Sequence, residues 1–192
     1  KYVWLFFLGI FCYVSTEQGT SISMSTFLEQ YHGVHPQTDG AQAVSYFWGL
    51  MTAGCLVGML LLKLIDSKRL LQISGVLTIV LLLSALFGSK GIALIAFPAV
   101  GFSISMMYSI VFSLALNSAS QHHGSFAGIL CSAIVGGAGG PMIVSTIADA
   151  TSLRTGMLFI LIFVGYITFI GFWARPLINN KTVKLKELFK KA

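Results

Sequence analysis

Charge is scarce in this sequence. Only 9% of its residues are Asp, Glu, Lys or Arg, and Asp and Glu together number 6 in 192. A soluble domain carries about a quarter charged residues, so a surface built for water is excluded. Cysteine is sparse as well. Cys12, Cys55 and Cys131 lie in apolar runs, without metal-ligand spacing or an extracellular disulfide framework, and read as small packing residues. The four histidines, His32, His35, His122 and His123, fall in polar breaks or at the ends of apolar runs. An intramembrane serine protease, which needs a histidine base beside its nucleophile, is thereby excluded. The His122–His123 pair lacks the acidic or cysteine companions of a metal site. An aquaporin-like pore would need paired Asn-Pro-Ala half-helices, and a selective channel a carbonyl or charge ring; neither occurs. Alternating ten-residue segments of an outer-membrane barrel are also missing, as is a cleavable signal peptide. The chain is therefore read as a non-enzyme with no cofactor and no metal.

Hydrophobic residues make up 56% of the sequence and mean hydropathy is +0.86, so lipid is the expected solvent. Six stretches reach the roughly 20 apolar residues that cross a bilayer: 2–30, 42–65, 70–88, 92–117, 125–148 and 155–174. The breaks between them read "HGVHPQTDG", "DSKR", "GSKG", "NSASQHHG" and "DATSLR". The expected fold is an all-α, six-helix transmembrane bundle over residues 1–175, followed by a basic tail over 176–192. An even number of spans puts both ends on one side. That side holds Lys1, Lys63, Lys68, Arg69, Arg175, Lys181, Lys184, Lys186, Lys190 and Lys191, against Lys90 and Arg154 opposite, ten to two. Basic residues translocate poorly, so the ten mark the cytoplasm. The net charge of +6 is then a topology signal, with no nucleic-acid partner implied. In the tail, Leu185, Leu188 and Phe189 share a helical side among lysines and suit the anionic inner membrane surface.

Against this background Glu17 is costly, about 2.5–3.5 kcal/mol at mid-span. It should face a water-filled cavity or another helix. Tyr13, Glu17, Thr20, Ser21 and Met24 share one helical face, with Gln18 at its edge. A carboxylate, a ring and hydroxyls together suit a polyhydroxy ligand; an interhelical hydrogen bond is the structural alternative. In the fifth span Gly136 and Gly140 are a small-xxx-small pair, widened by Gly137 and Gly139, and Pro141 should end or kink the helix. Gly54 and Gly58 repeat the pattern in the second span, with Gly49 one turn earlier. Both surfaces favour close packing and also the smooth contact a rocking helix needs. These glycine-rich spans are the second members of two triplets, as an inverted three-plus-three repeat would have them. In such a repeat the first member of each triplet lines the cavity. In span four that places Phe102, Met106, Ser109 and Ser113 on one face, with Tyr108 and Asn117 near it.

Three stretches resemble the sugar:proton symporters of the major facilitator superfamily, fucose permease type, and the resemblance spans the chain as that family's C-terminal six-helix half. "YVSTEQG" at 13–19 is similar to the seventh-helix pattern Tyr-Val-Gly-x-Glu, with Ser15 where glycine is usual. "YFWGLMTAGCLVGMLLLKLIDSKRLL" at 46–71 resembles the eighth helix and its basic loop, with Cys55 where arginine is common. "GSFAGILCSAIVGGAGGPMIVSTIAD" at 124–149 resembles the eleventh helix, although Gly139 and Gly140 replace bulkier residues before Pro141. The resemblance implies uptake of a monosaccharide (fucose, glucose, galactose or an amino sugar) coupled to protons, across a bacterial inner membrane. It also implies an N-terminal six-helix half as partner, consistent with a chain that enters an apolar run directly from Lys1 and reads as a piece of something longer. Because the family's proton-coupling carboxylates belong to that other half, Glu17 is expected on the sugar side of the cavity. The candidate substrate residues are Glu17, Gln18, Tyr13, Ser21, Met106 and Ser109. The candidate packing and rocking residues are Gly54, Gly58, Gly136, Gly137, Gly140 and Pro141. Two alternatives stand beside this: a stand-alone six-helix protein that homodimerises around a pathway, and a structural membrane subunit that transports nothing.

Overall fold

Lipid offers no hydrogen bonds to a backbone, so a spanning chain must satisfy its N–H and C=O groups internally, and helices do this. The computed structural model describes residues 2–118 and 123–174, and these form helices joined by short turns, with no strand among them. The first span is α1 (Tyr2–His32). The second opens with a π-helical turn (Pro36–Gly40) and continues as α2 (Ala41–Leu64); α3 (Ser67–Phe87) is the third. The fourth is α4 (Lys90–Ile104) followed by α5 (Met107–Asn117). The fifth joins α6 (His123–Ser132), a 3-10 turn (Ala133–Val135) and α7 (Gly136–Ala150), and the sixth joins α8 (Leu153–Leu158) and α9 (Ile160–Trp173). Spans two to six are long and apolar enough to cross a membrane. α1, at 31 residues, is also long enough; Glu17, Gln18 and several hydroxyls make it less apolar. The basic tail at 176–192, with Lys1, His122 and Arg175, lies outside the described residues.

The first break is shorter than its polar sequence suggests. "HGVHPQTDG" reads as a loop, but only residues 33–35 are non-helical. Gly33, at a φ of 61°, ends α1 in the left-handed conformation. Its N–H donates to the Glu29 carbonyl at 3.0 Å, and the Val34 N–H donates to that of Leu28 at 3.2 Å. Pro36, whose ring presets a helical φ, then restarts the chain as a helix. At the next turn the Asp66 carboxylate caps α3, accepting from the Lys68 N–H at 3.0 Å.

Span one packs against spans four, five and six; span four packs against two and three; span three packs against six. Exchanging the triplets maps pair one–five onto four–two and pair one–six onto four–three, and each span runs opposite to the span it maps onto. The bundle is thus an inverted three-plus-three repeat. Its two tightest crossings are the glycine surfaces. A Cβ on Gly140 would sit 2.5 Å from the Ser15 Cα, and one on Gly136 would strike the Phe11 carbonyl. A Cβ on Gly54 would reach 2.8 Å from the Phe102 carbonyl oxygen, and one on Gly58 would collide with the Met106 side chain. The Ser15 hydroxyl seals the first crossing, donating to the Gly136 carbonyl at 3.0 Å.

Spans four and five are not continuous rods. α4 gives way to α5 at Ser105–Met106, where the Ser105 Oγ donates to the Phe102 carbonyl at 2.8 Å. α6 gives way to the 3-10 turn after Ser132, whose Oγ donates to Ile129 at 2.7 Å. Serine bonding back to its own helix competes with the regular ladder and bends it. Pro141, expected to end or kink the helix, does not end it: α7 runs through it to Ala150. The interruption falls before the proline instead, because the glycines around 136–140 leave room for the ring while Ser132 disrupts the turn before them.

Candidate substrate site

The interruption in span four lies level with the polar segment of α1, and the two spans pack together there. The Tyr13 and Tyr108 rings meet at 5.7 Å between centroids, and Tyr108 stacks on Phe112 at 5.8 Å. Tyr13 is only 3% exposed; Tyr108 is half-buried. One turn beyond Tyr13, Glu17 and Gln18 are both half-buried, and the Gln18 Nε2 donates to the Glu17 Oε1 at 3.2 Å. Neither α1 nor α5 contains a lysine or arginine that could neutralise the carboxylate. From span two, the Cys55 thiol donates to the Ser105 carbonyl at 3.3 Å, tying α2 to the interruption in span four.

The structure thus brings together Tyr13, Glu17, Gln18 and Tyr108. Ser21 is buried and its Oγ donates to the Gln18 carbonyl at 3.4 Å, so its hydroxyl is engaged by its own helix. Thr20 is buried with no hydrogen-bond partner for its Oγ1, and Met24 is fully buried in the core. Met106, 8% exposed, packs on Gly58 of α2. Ser109 and Ser113 are exposed, and Ser113 accepts from the Asn117 Nδ2 at 3.5 Å. Met106 is thus buried against α2 while Ser109, in the first turn of α5, is exposed. Tyr108, between them, is the residue of α5 that meets Tyr13. Of the glycine group, Gly54, Gly58, Gly136 and Gly140 are buried in crossings between spans of this bundle, while Gly137 lies 3.5 Å (from a built Cβ) from the Gln18 Cγ. Sequence reading missed Cys55 as a link to span four. A thiol in an apolar run gives no sign of the carbonyl it will meet.

This arrangement gathers an acceptor carboxylate, an amide and two phenols midway along the first span. The six-helix bundle that holds it has a specific structural counterpart. The fucose:proton symporter FucP of E. coli, a major facilitator superfamily transporter, superposes with a TM-score of 0.84 over 91% of this chain and 43% of its own, at 18% identity. Its outward conformation gives 0.80. The chain has a major facilitator fold. In sequence it is 35% identical over 166 residues to a glucose/galactose transporter of Brucella abortus, covering 85% of this chain. It is 31% identical over 153 residues to a putative glucose/galactose transporter of Helicobacter pylori. The chain spans about 40% of the length of these curated relatives. No family model matches it. The relatives are transporters, not enzymes.

Proposed function

We propose that this chain is the C-terminal six-helix half of a monosaccharide transporter of the fucose, glucose, galactose or amino-sugar class, driven by protons. The observation that carries the reading is the half-buried Glu17–Gln18 pair beside the Tyr13–Tyr108 contact, midway along the first span. Carboxylate and amide oxygens accept from sugar hydroxyls, the Gln18 NH₂ donates to them, and phenol rings cover the apolar faces of a pyranose. The names of the sequence relatives favour a hexose. Ser21, Met106 and Ser109 are secondary here, since Ser21 and Met106 are engaged within the bundle.

Alternating access follows from the six-helix half. An N-terminal six-helix half closes the cavity opposite Glu17, and rocking of the two bundles exposes the sugar to each side in turn. The Lys63, Lys68 and Arg69 end faces the cytoplasm and the Lys90 and Arg154 end faces outward, in the inner membrane of a bacterium. The test is uptake by the intact transporter in proteoliposomes, with and without a proton gradient. Glu17→Gln keeps the size and removes a charged acceptor worth about 1.5–3 kcal/mol, so sugar affinity should fall about 10- to 100-fold. Unaltered affinity and rate in that variant would defeat the assignment of Glu17 to the sugar.

A further inference from the structure

A second polar surface leads away from Glu17 and Gln18. On α1, Gln18, Ile22, Thr26 and Gln30 recur at every fourth position; on α7, Gly137, Pro141, Ser145 and Asp149 do the same. The two helices pack together. The rows meet at one end, where a Cβ on Gly137 would lie 3.5 Å from the Gln18 Cγ. Toward the Arg154 end they part into a groove of about 320 Å³, lined by Ser23, Thr26, Gln30, Ser145 and Asp149 together with the apolar Ile22, Val144, Ala148 and Leu153.

Three features of this groove ask for a ligand. Its volume is within the range of small-molecule sites, about 300–1,000 Å³. Its polar groups are three hydroxyls, an amide and a carboxylate. The Ser145 hydroxyl donates to its own helix, to the Met142 carbonyl at 3.1 Å, and can only accept. The others between them donate and accept, and so match a polyhydroxy compound. Asp149 is the third. It sits in the last turn of α7, where the helix dipole disfavours a negative charge, so helix stability does not account for it.

We infer that the α1–α7 groove is an outer loading subsite that holds the monosaccharide between the external mouth and the Glu17–Gln18 site. The inference rests on the transport reading above and adds a second position on its route. Asp149 accepts from sugar hydroxyls there, and Gln30 orients the ring from the facing helix.

The intact transporter in right-side-out vesicles provides the test, with D-glucose, D-galactose and L-fucose as probes. Asp149→Asn and Gln30→Ala should each raise the KM for entry about tenfold, the loss of one charged or bidentate contact. The maximal entry rate should stay within about twofold of the parent, a KM-against-rate split that misfolding would not produce. Ser145→Cys should react with a membrane-impermeant thiol reagent added outside, and the transported sugar should slow that reaction. An unchanged entry KM in both variants overturns the subsite, as does an introduced thiol that sugar does not protect. A thiol that never reacts also overturns it, since the groove is then covered by lipid or another helix. If the parent moves none of the three sugars, the transport reading fails and takes the subsite with it.

Discussion

Replacing Gly140 by alanine tests the central packing claim at a single methyl group. The new Cβ would lie 2.5 Å from the Ser15 Cα, 2.6 Å from its Cβ and 2.8 Å from its carbonyl oxygen. Two of these three atoms belong to the backbone of α1, so no rotamer change relieves the contact. Carbon atoms sit comfortably at about 3.5–4.0 Å, and the helices must therefore separate by about 1 Å. Overpacking of this kind costs about 1–3 kcal/mol. Separation also stretches the buried Ser15 Oγ to Gly136 carbonyl bond, 3.0 Å long, worth about a further 1 kcal/mol. The expected loss is about 2–4 kcal/mol. Chemical unfolding of the intact transporter in mixed micelles measures it. Gly165→Ala and Gly128→Ala are the controls, since a Cβ at either position meets nothing within 4 Å. If Gly140→Ala unfolds together with those controls, spans one and five do not cross at backbone contact and the packing scheme is wrong.

Gly58→Ala should be milder, costing under about 1.5 kcal/mol, although its Cβ also collides: the atoms it meets are the flexible end of Met106, which can swing away. The same unfolding assay ranks the two, and a Gly58 variant as damaged as Gly140→Ala would contradict the distinction. Arg154 lies over the Tyr31, Phe87 and Phe27 rings at 4.5, 5.4 and 5.8 Å, joining the ends of spans one, three and six. Arg154→Met should lower stability by about 1–2 kcal/mol, with lysine intermediate, as thermal unfolding would record. Gln72→Leu removes the Nε2 bond to the Gly171 carbonyl, 2.9 Å long between spans three and six, and should cost about 1 kcal/mol without altering sugar KM.

The bundle was legible because apolar length is a direct readout of bilayer thickness. All six expected spans overlap observed ones, and the triplet pattern of glycines at 54–58 and 136–140 located both crossings. Local geometry was less legible. Polar composition marked residues 32–40 as loop, yet a left-handed Gly33 and a restarting Pro36 confine the break to three residues. Serine back-bonding accompanies the interruptions of spans four and five, yet Ser103 and Ser145 make the same bond within continuous helices and look no different in sequence. One such interruption lies beside the site: at Ser105–Met106 it holds Met106, which packs on Gly58, and precedes Tyr108, which meets Tyr13. The Ser105 carbonyl that the Cys55 thiol meets belongs to that turn, and no spacing rule reaches the pairing.

Glu17 has no bond to another span among the described residues. Polar side chains that hold this bundle together reach across it: Ser15 to Gly136, Gln72 to Gly171, Cys55 to Ser105, Thr78 to Ser103. A carboxylate kept as structural glue would do the same, and its charge would make the crossing bond about twice as strong as a neutral one. The bonds that Glu17 does make are to Gln18 and to Tyr13, both on its own helix, and they tie no two spans together. They offset part of an insertion cost of about 2.5–3.5 kcal/mol. A permanent partner on another helix would make Glu17→Gln a stability defect. A sugar that comes and goes would make it an affinity defect with stability intact. Measuring unfolding and uptake on the same Glu17→Gln sample therefore separates the two roles.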